Sequence, residues 1–315
     1  MSRIACLFPG QGSQSVGMGR DLFAQSYAAR RTFEEADRIL GFALSALCFE
    51  GPDDLLRATL NTQPALFVTS VAAWRALAET RIAKPEAVAG HSIGEYAALY
   101  AAGALDFETG LKLVLRRAQE LQRAAERAPG NMAAILGLDA QTVIEMCHDV
   151  EASGLGMLQP ANFNGAGQVV VSGTPESIAA VSEEAKKRGA KRVMPLSVSG
   201  AFHSRAMKPA ADAIAEVLKS ADLHDPEIPV LANVTADYER TAREIRENLS
   251  AQIDHSVRWE ESMLRLRAEG IDVFVEVGPG KVLAGIAKRM FPEALSMSVG
   301  DAAGIEALTA ALSSR

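Results

Sequence analysis

Ala87-Val88-Ala89-Gly90-His91-Ser92-Ile93-Gly94-Glu95-Tyr96-Ala97-Ala98-Leu99 is the stretch on which the fold turns. Three small apolar residues make a short buried strand, a Gly-x-Ser-x-Gly follows, and residues 95–102 read as a helix. The glycines let the chain turn sharply, which exposes the Ser92 oxygen at a helix start, where free backbone N–H groups favour negative charge. A surface loop can carry the same five residues by chance; the strand before and the helix after make this one a nucleophile elbow, with the Ile93 N–H as a natural oxyanion donor. Upstream, residues 3–8 read as a second buried strand, stopped by Pro9 and followed by the loop Gly10-Gln11-Gly12-Ser13-Gln14. Between them, Leu66, Ser70, Ala73, Trp74 and Leu77 recur at helical spacing. Strand, helix and strand in succession predict an α/β fold.

From Asn131 the pattern changes. Strands are predicted over 132–136, 157–161, 168–172 and 192–198, with one helix after Asp139 and another from Thr174-Pro175 to Gly189. That order, β-α-β-β-α-β, is the ferredoxin-like unit. Thr174 can cap the second helix, Pro175 suits its first turn, and Gly189 falls just beyond its end. After it come a helix over 207–220, a strand over 228–232, helices up to Glu269, and a strand over 272–277 leading through Gly278-Pro279-Gly280-Lys281 into a helix. The sequence thus predicts a discontinuous large α/β catalytic domain, 1–127 and 199–315, carrying a small ferredoxin-like domain at 128–198, with hinges near Pro129 and Ser199.

The chain has 315 residues, 48% hydrophobic and 23% charged, which excludes a disordered or fibrous protein and suffices for a rigid core. Against 32 Lys+Arg stand 39 Asp+Glu, and a net charge of -7 disfavours nonspecific binding to nucleic acid or an anionic membrane. Cys6, Cys48 and Cys147 are far apart without a CxxC pair, so neither a disulfide framework nor a zinc cluster is expected and a reducing cytoplasm fits. No run approaches the ~18 apolar residues of a membrane span, and the apolar stretch at 4–8 is too short for a signal peptide, so the mature chain is expected to start at Met1. No metal is expected, since HExxH is missing and the histidines lack ligand spacing. The glycine-rich loops fail as nucleotide motifs: Gly10-x-Gly12-x-x-Ser15 lacks a third glycine, and a P-loop would need glycine where Val275 stands.

A serine nucleophile needs a base. Of His91, His148, His203, His224 and His255, His203 is preferred because it sits in the small-residue turn Ser199-Gly200-Ala201-Phe202-His203-Ser204. His148 falls within a helix, His224 lies in a polar connection, and His255 is left open. On the helix over 106–127, plotted at ~100° per residue from Leu111, the residues Val114, Leu115, Ala118 and Leu121 form an apolar stripe. Arg117, at about 240°, flanks that stripe and can reach an interior cleft, or else lie along the surface with its stem over apolar neighbours. Gln122, at about 20°, lies within the stripe and should find a buried partner. Lys186-Lys187-Arg188 with Lys191-Arg192 is a basic cluster at a helix end, either a solvated cap or a place to greet an acidic partner.

Five blocks then acquire a common meaning: Phe8-Pro9-Gly10-Gln11-Gly12-Ser13-Gln14, Gly90-His91-Ser92-Ile93-Gly94-Glu95-Tyr96, Asn162-Phe163-Asn164, Gly200-Ala201-Phe202-His203-Ser204 and Val277-Gly278-Pro279-Gly280. In order and over nearly the whole chain they resemble the malonyl-CoA:acyl-carrier-protein transacylase family. The resemblance implies a large α/β-hydrolase-like domain with an inserted ferredoxin-like domain. It implies Ser92 as the acylated nucleophile and His203 as base and later acid, oriented by the main-chain carbonyl of Gln252 instead of a third carboxylate. Gln11 and Ile93 would give the oxyanion N–H groups, and Arg117 would grip the free carboxylate of malonyl. Phe202, Asn162, His91 and Gln122 would complete the substrate site, Phe202 crowding any α-methyl group. Ala118 stands where many relatives have glycine, a change with no evident bearing on carboxylate binding.

On this resemblance the expected reaction is ping-pong transfer of malonyl from malonyl-CoA to the phosphopantetheine thiol of acyl carrier protein, in fatty-acid synthesis. The coenzyme A thioester is a substrate, no cofactor is implied, and a cytoplasmic monomer is expected. A stand-alone acyltransferase of a polyketide assembly line would show the same motifs. A serine hydrolase or thioesterase would need an acid for its histidine and an HGGG-type oxyanion loop, and the latter is missing. A noncatalytic carrier-binding scaffold leaves Ser92, His203 and Arg117 without a shared role.

Overall fold

In the computed structural model, which describes residues 2–80, 84–198 and 200–314, the apolar runs pair into two sheets. In chain order the strands are β1 (Ile4–Phe8), β2 (Ala87–Gly90), β3 (Asn131–Leu136), β4 (Leu158–Gly165), β5 (Gln168–Gly173), β6 (Arg192–Pro195), β7 (Val230–Leu231), β8 (Tyr238–Glu239), β9 (Val273–Val277) and β10 (Leu295–Val299). The first sheet runs β10-β9-β1-β2-β7-β8, parallel except for β8. Every residue of β1, β2 and β9 is buried, because helices cover both faces, and this is why those strands read as apolar runs, broken only by the buried Glu276 of β9. Side chains alternate between two cores: Ile4, Cys6 and Phe8 pack on one side, Ala5 and Leu7 on the other. On the first side lies the helix Thr59–Ala78, which starts before the predicted Pro64; the proline lacks the N–H that would bond the Leu60 carbonyl, and Leu60 is exposed.

The second sheet is antiparallel, in the order β4-β5-β3-β6. Helices Ala140–Ala152 and Pro175–Lys187 pack on one face through Val143, Met146, Cys147, Ile178 and Val181, while Met132, Ala134 and Val170 join the main core from the other. The punctuation of the second helix is as the sequence suggests: Thr174 accepts from the Ser177 N–H, and Gly189 takes φ 89°. Two strands differ from expectation. β6 ends at Pro195, and residues 196–198 instead line a cavity. β4 runs on to Gly165 with register shifts on either side of Asn162 and Phe163, which turn its end toward the first sheet; Asn162 makes a parallel bridge to Val257. The two connections to this sheet lie side by side, joined by a bridge between Pro129 and Gly200. Ser199, read as a hinge, lies outside the described residues.

Candidate active site

Ser92 sits between the C-terminal end of β2 and the helix Gly94–Ala101, beside the end of β1, the edge where parallel sheets place their sites. Its φ of 53° is a left-handed conformation costing on the order of 1–3 kcal/mol. A Cβ at Gly90 would stand 2.0 Å from Gly94 backbone, and one at Gly94 would stand 2.1 Å from the Phe8 carbonyl oxygen, so the turn requires both glycines. Asn233, one residue beyond the predicted strand over 228–232, clamps the strained turn. Its Oδ1 accepts from the Ser92 N–H at 2.6 Å, and its Nδ2 donates to the Gly90 carbonyl at 2.6 Å. Sequence reading missed this residue; its only signal was its place at the C-terminal end of a strand neighbouring β2.

Ser92 Oγ lies 2.7 Å from His203 Nε2, and His203 Nδ1 donates to the Gln252 main-chain carbonyl at 2.8 Å. Since a carbonyl only accepts, Nδ1 carries the proton and Nε2 is free to take one from Oγ. Burial, and then the positive charge of Arg117, push His203 down to about 3, so the resting ring is neutral throughout the physiological range. The other candidates stand apart: His148, His224 and His255 are exposed beside Asp149, Asp222 and Asp254.

Arg117 is only 2% exposed. Nη1 donates to Gln63 Oε1 at 2.8 Å, and Nη2 to Gln252 Oε1 at 2.9 Å and to Ser92 Oγ at 3.1 Å. None of these acceptors is a carboxylate. The helix Phe107–Arg127 buries a sector that runs on the plot used above from Glu120 at about 180° through Arg117, Leu121 and Val114 to Ala118 and Leu111, centred at about 270°, so Arg117 lies within it and not on its flank. The same rotation corrects the expectation for Gln122, which leaves the core and donates to Glu126 Oε1 at 2.9 Å, away from the site. Leu115 is likewise only partly buried. Leu111, Val114, Ala118 and Leu121 of the stripe are buried as expected, and packing centres the buried face about 60° from where residue type drew it. Gln63, an apparently ordinary residue of an apolar helix, was missed.

Gln11, His91, Ser92, Arg117, Asn162, Phe202 and His203 converge on one cavity of about 310 Å³, closed on the small-sheet side by Met132 and residues 195–198. His91 is held against Trp259 and donates through Nε2 to Asn164 Oδ1 at 2.8 Å. Among the described residues neither the Gln11 nor the Ile93 backbone N–H has a backbone partner. Three members of the basic cluster are paired with nearby acids: Lys186 with Glu183, Lys187 with Glu184, and Arg188 with Glu184 and Asp149. Among the described residues no group of His, Cys, Asp and Glu could hold a metal ion, and no helix is long and apolar enough to cross a membrane.

A family model described as acyl transferase domain matches residues 6–308. The chain is 46% identical over 306 residues to the malonyl CoA-acyl carrier protein transacylase of Bacillus subtilis, covering 97% of this chain and 96% of that one. An acyl-carrier-protein S-malonyltransferase structure from Burkholderia pseudomallei superposes with a TM-score of 0.93 at 42% identity, over 97% of this chain and 99% of the other. A malonyl-transacylase solved in complex with its type II PKS acyl-carrier protein superposes with a TM-score of 0.95 at 40% identity over the full length of both chains.

Proposed function

This chain belongs to the acyl transferase domain family, among the malonyl CoA-acyl carrier protein transacylases, and on that premise we propose how its residues carry malonyl from coenzyme A to acyl carrier protein. His203 Nε2 takes the Ser92 proton as Oγ attacks the thioester carbonyl. The Gln11 and Ile93 N–H groups receive the developing oxyanion. The C–S bond then breaks, the coenzyme A sulfur takes the proton back from His203, and malonyl remains as an ester on Ser92. The phosphopantetheine thiol of the carrier repeats the sequence in reverse and leaves Ser92 free.

The observation that carries this reading is the position of Arg117. Malonyl bears its carboxylate one methylene from the reacting carbonyl, and a guanidinium nitrogen 3.1 Å from the nucleophile meets that span. A planar guanidinium binds a carboxylate through paired, charge-assisted bonds. With acetyl, Arg117 keeps only neutral acceptors, and losing a charge-assisted bond of about 1.5–3 kcal/mol predicts roughly 10–100-fold slower acylation. Phe202 lines the same cavity, and its ring is read as the group that would crowd an α-methyl. His203 rests on a carbonyl and not on an acid, which disfavours the hydrolase reading.

We further read the antiparallel sheet and its two helices as a ferredoxin-like domain at 128–198, since the strand order and the β-α-β-β-α-β sequence both fit. The parallel sheet is read as the α/β-hydrolase-like domain, and the protein as a cytoplasmic monomer of fatty-acid synthesis. The test is intact mass after brief exposure to malonyl-CoA or acetyl-CoA, with Ser92→Ala and Arg117→Ala alongside. A malonyl adduct absent from Ser92→Ala, with selectivity lost in Arg117→Ala, supports the reading. Steady release of coenzyme A without an adduct would make water the acceptor and overturn it.

A further inference from the structure

Glu95 is a fully buried acid that the transfer steps leave unused. It stands in the first turn of the helix behind the elbow. Its Oε2 accepts from the Gln252 side-chain Nε2 at 2.8 Å and from the Asn233 N–H at 3.1 Å, while Oε1 is buried without a hydrogen-bond partner among the described residues. Nε2 of Gln252 also donates to the Ser92 carbonyl at 3.0 Å. An amide has one donor end and one acceptor end, so fixing Nε2 on Glu95 leaves Oε1 facing Arg117 Nη2. Turned over, the amide would set N–H groups against a guanidinium.

Arg117 has neutral acceptors only, and Glu95 is the acid joined to it through that single amide. Burial raises the Glu95 carboxyl while Gln252, Asn233 and Arg117 lower it, leaving it at about 7. Around it, burial and then the charge of Glu95 raise the Glu239 carboxyl of β8 well above the ordinary carboxylate range, Tyr96 is pushed up to about 12, and His203 is pushed down to about 3.

We propose that Glu95 is a positioning residue for acyl selectivity: through the Gln252 amide it holds Arg117 ready for the acyl carboxylate, and when ionised it competes with that carboxylate for the guanidinium charge. This rests on Arg117 as the carboxylate receptor. Ionised Glu95 and bound malonyl share one cation, so malonyl is accepted best while Glu95 is protonated. Acetyl, which has no carboxylate, is indifferent to it.

The experiment compares single-turnover acylation of Ser92 by malonyl-CoA and by acetyl-CoA, read by intact mass from about pH 6 to about pH 8.5, the range around the Glu95 value. The ratio of the two rates cancels the base, the leaving thiol and the coenzyme A phosphates, which are common to both donors. In the wild type the malonyl-to-acetyl ratio is expected to fall as pH rises, by about tenfold for a coupling of one pKa unit. Glu95→Gln keeps an acceptor for Gln252 and removes the charge, so its ratio should be flat at the wild-type low-pH value. Glu95→Ala frees the amide and should lower the ratio at every pH. A flat wild-type ratio, or a Glu95→Gln ratio that keeps the wild-type slope, would overturn the proposal. Should Glu95→Gln fail to fold, an indicator dye reads the same coupling in the wild type as extra proton uptake on malonylation over acetylation; equal uptake would overturn it. A wild type that does not prefer malonyl at any pH would instead overturn the assignment of Arg117.

Discussion

Two of the helices that carry cations differ in what answers the charge. Pro175–Lys187 and the residue after it carry Lys186, Lys187 and Arg188 on the surface, each paired with an acid of the same helix and Arg188 also with Asp149. Phe107–Arg127 carries Arg117 into the core, where glutamine and serine oxygens meet it. The first arrangement is nearly self-neutralising and, being exposed, contributes little. The second leaves a buried cation able to gain from an incoming carboxylate. In the function proposed above, the charge whose surroundings are incomplete is the one that selects the substrate.

Substitutions can sharpen or break that contrast. The largest effect should fall on the buried base: His203→Ala is expected to slow acylation by about 10²–10⁴-fold, measured by single-turnover mass spectrometry. Arg117→Ala comes next, lowering the malonyl-to-acetyl rate ratio by roughly 10–100-fold while leaving acetyl transfer largely intact. An equal loss with both donors would show that Arg117 serves the nucleophile and not the substrate. Asn233→Ala unpairs the Ser92 N–H and the Gly90 carbonyl, so a loss of about 1–3 kcal/mol in denaturant-derived stability is expected alongside slower acylation by either donor. Reversing Lys186, Lys187 and Arg188 to glutamate should matter least, changing the carrier half-reaction by about twofold or less, because their charge is already answered. A large loss there would return the surface cluster to the carrier interface.

The pH dependence sharpens the same contrast. His203 lies far below its ordinary value of 6.5, at about 3, so the unfolded chain binds a proton in that window that the folded chain refuses. Its contribution to stability therefore declines as pH falls from about 6.5 toward about 3 and is constant above. Thermal denaturation of the wild type and His203→Gln across that window should show the variant losing less stability toward acid.

Ser92 and His203 were legible in the sequence because local patterns announced them: a strand, two glycines and a helix around the serine, a small-residue turn around the histidine. Arg117 was half legible, since periodicity pointed it inward but misjudged the buried face. Asn233, Gln63 and the Gln252 side chain were not, since each acts on a residue remote in sequence and no period or turn marks the partner. Gln122 fell to the opposite error, a polar residue on an apolar stripe at the margin of the buried sector. The order of strands and helices around the antiparallel sheet was legible, though β6 stops at Pro195 and not at residue 198. The bulged end of β4 was not, since it follows from the bridge between Asn162 and Val257.

The carbonyl beneath His203 has one more consequence. A carboxylate there would stabilise a protonated ring as an ion pair, which suits enzymes that must expel a poor leaving group. The Gln252 carbonyl orients the ring but offers no counter-ion, so a borrowed proton is held weakly and handed on. A thiol, with an ordinary pKa near 8.5, leaves without more help than that. Donor and product are both thioesters, one made from a thiol as the other is spent, and the exchange is close to thermoneutral. The site is thus built as a two-way relay, whose net direction is left to the relative abundance of loaded coenzyme A and empty carrier.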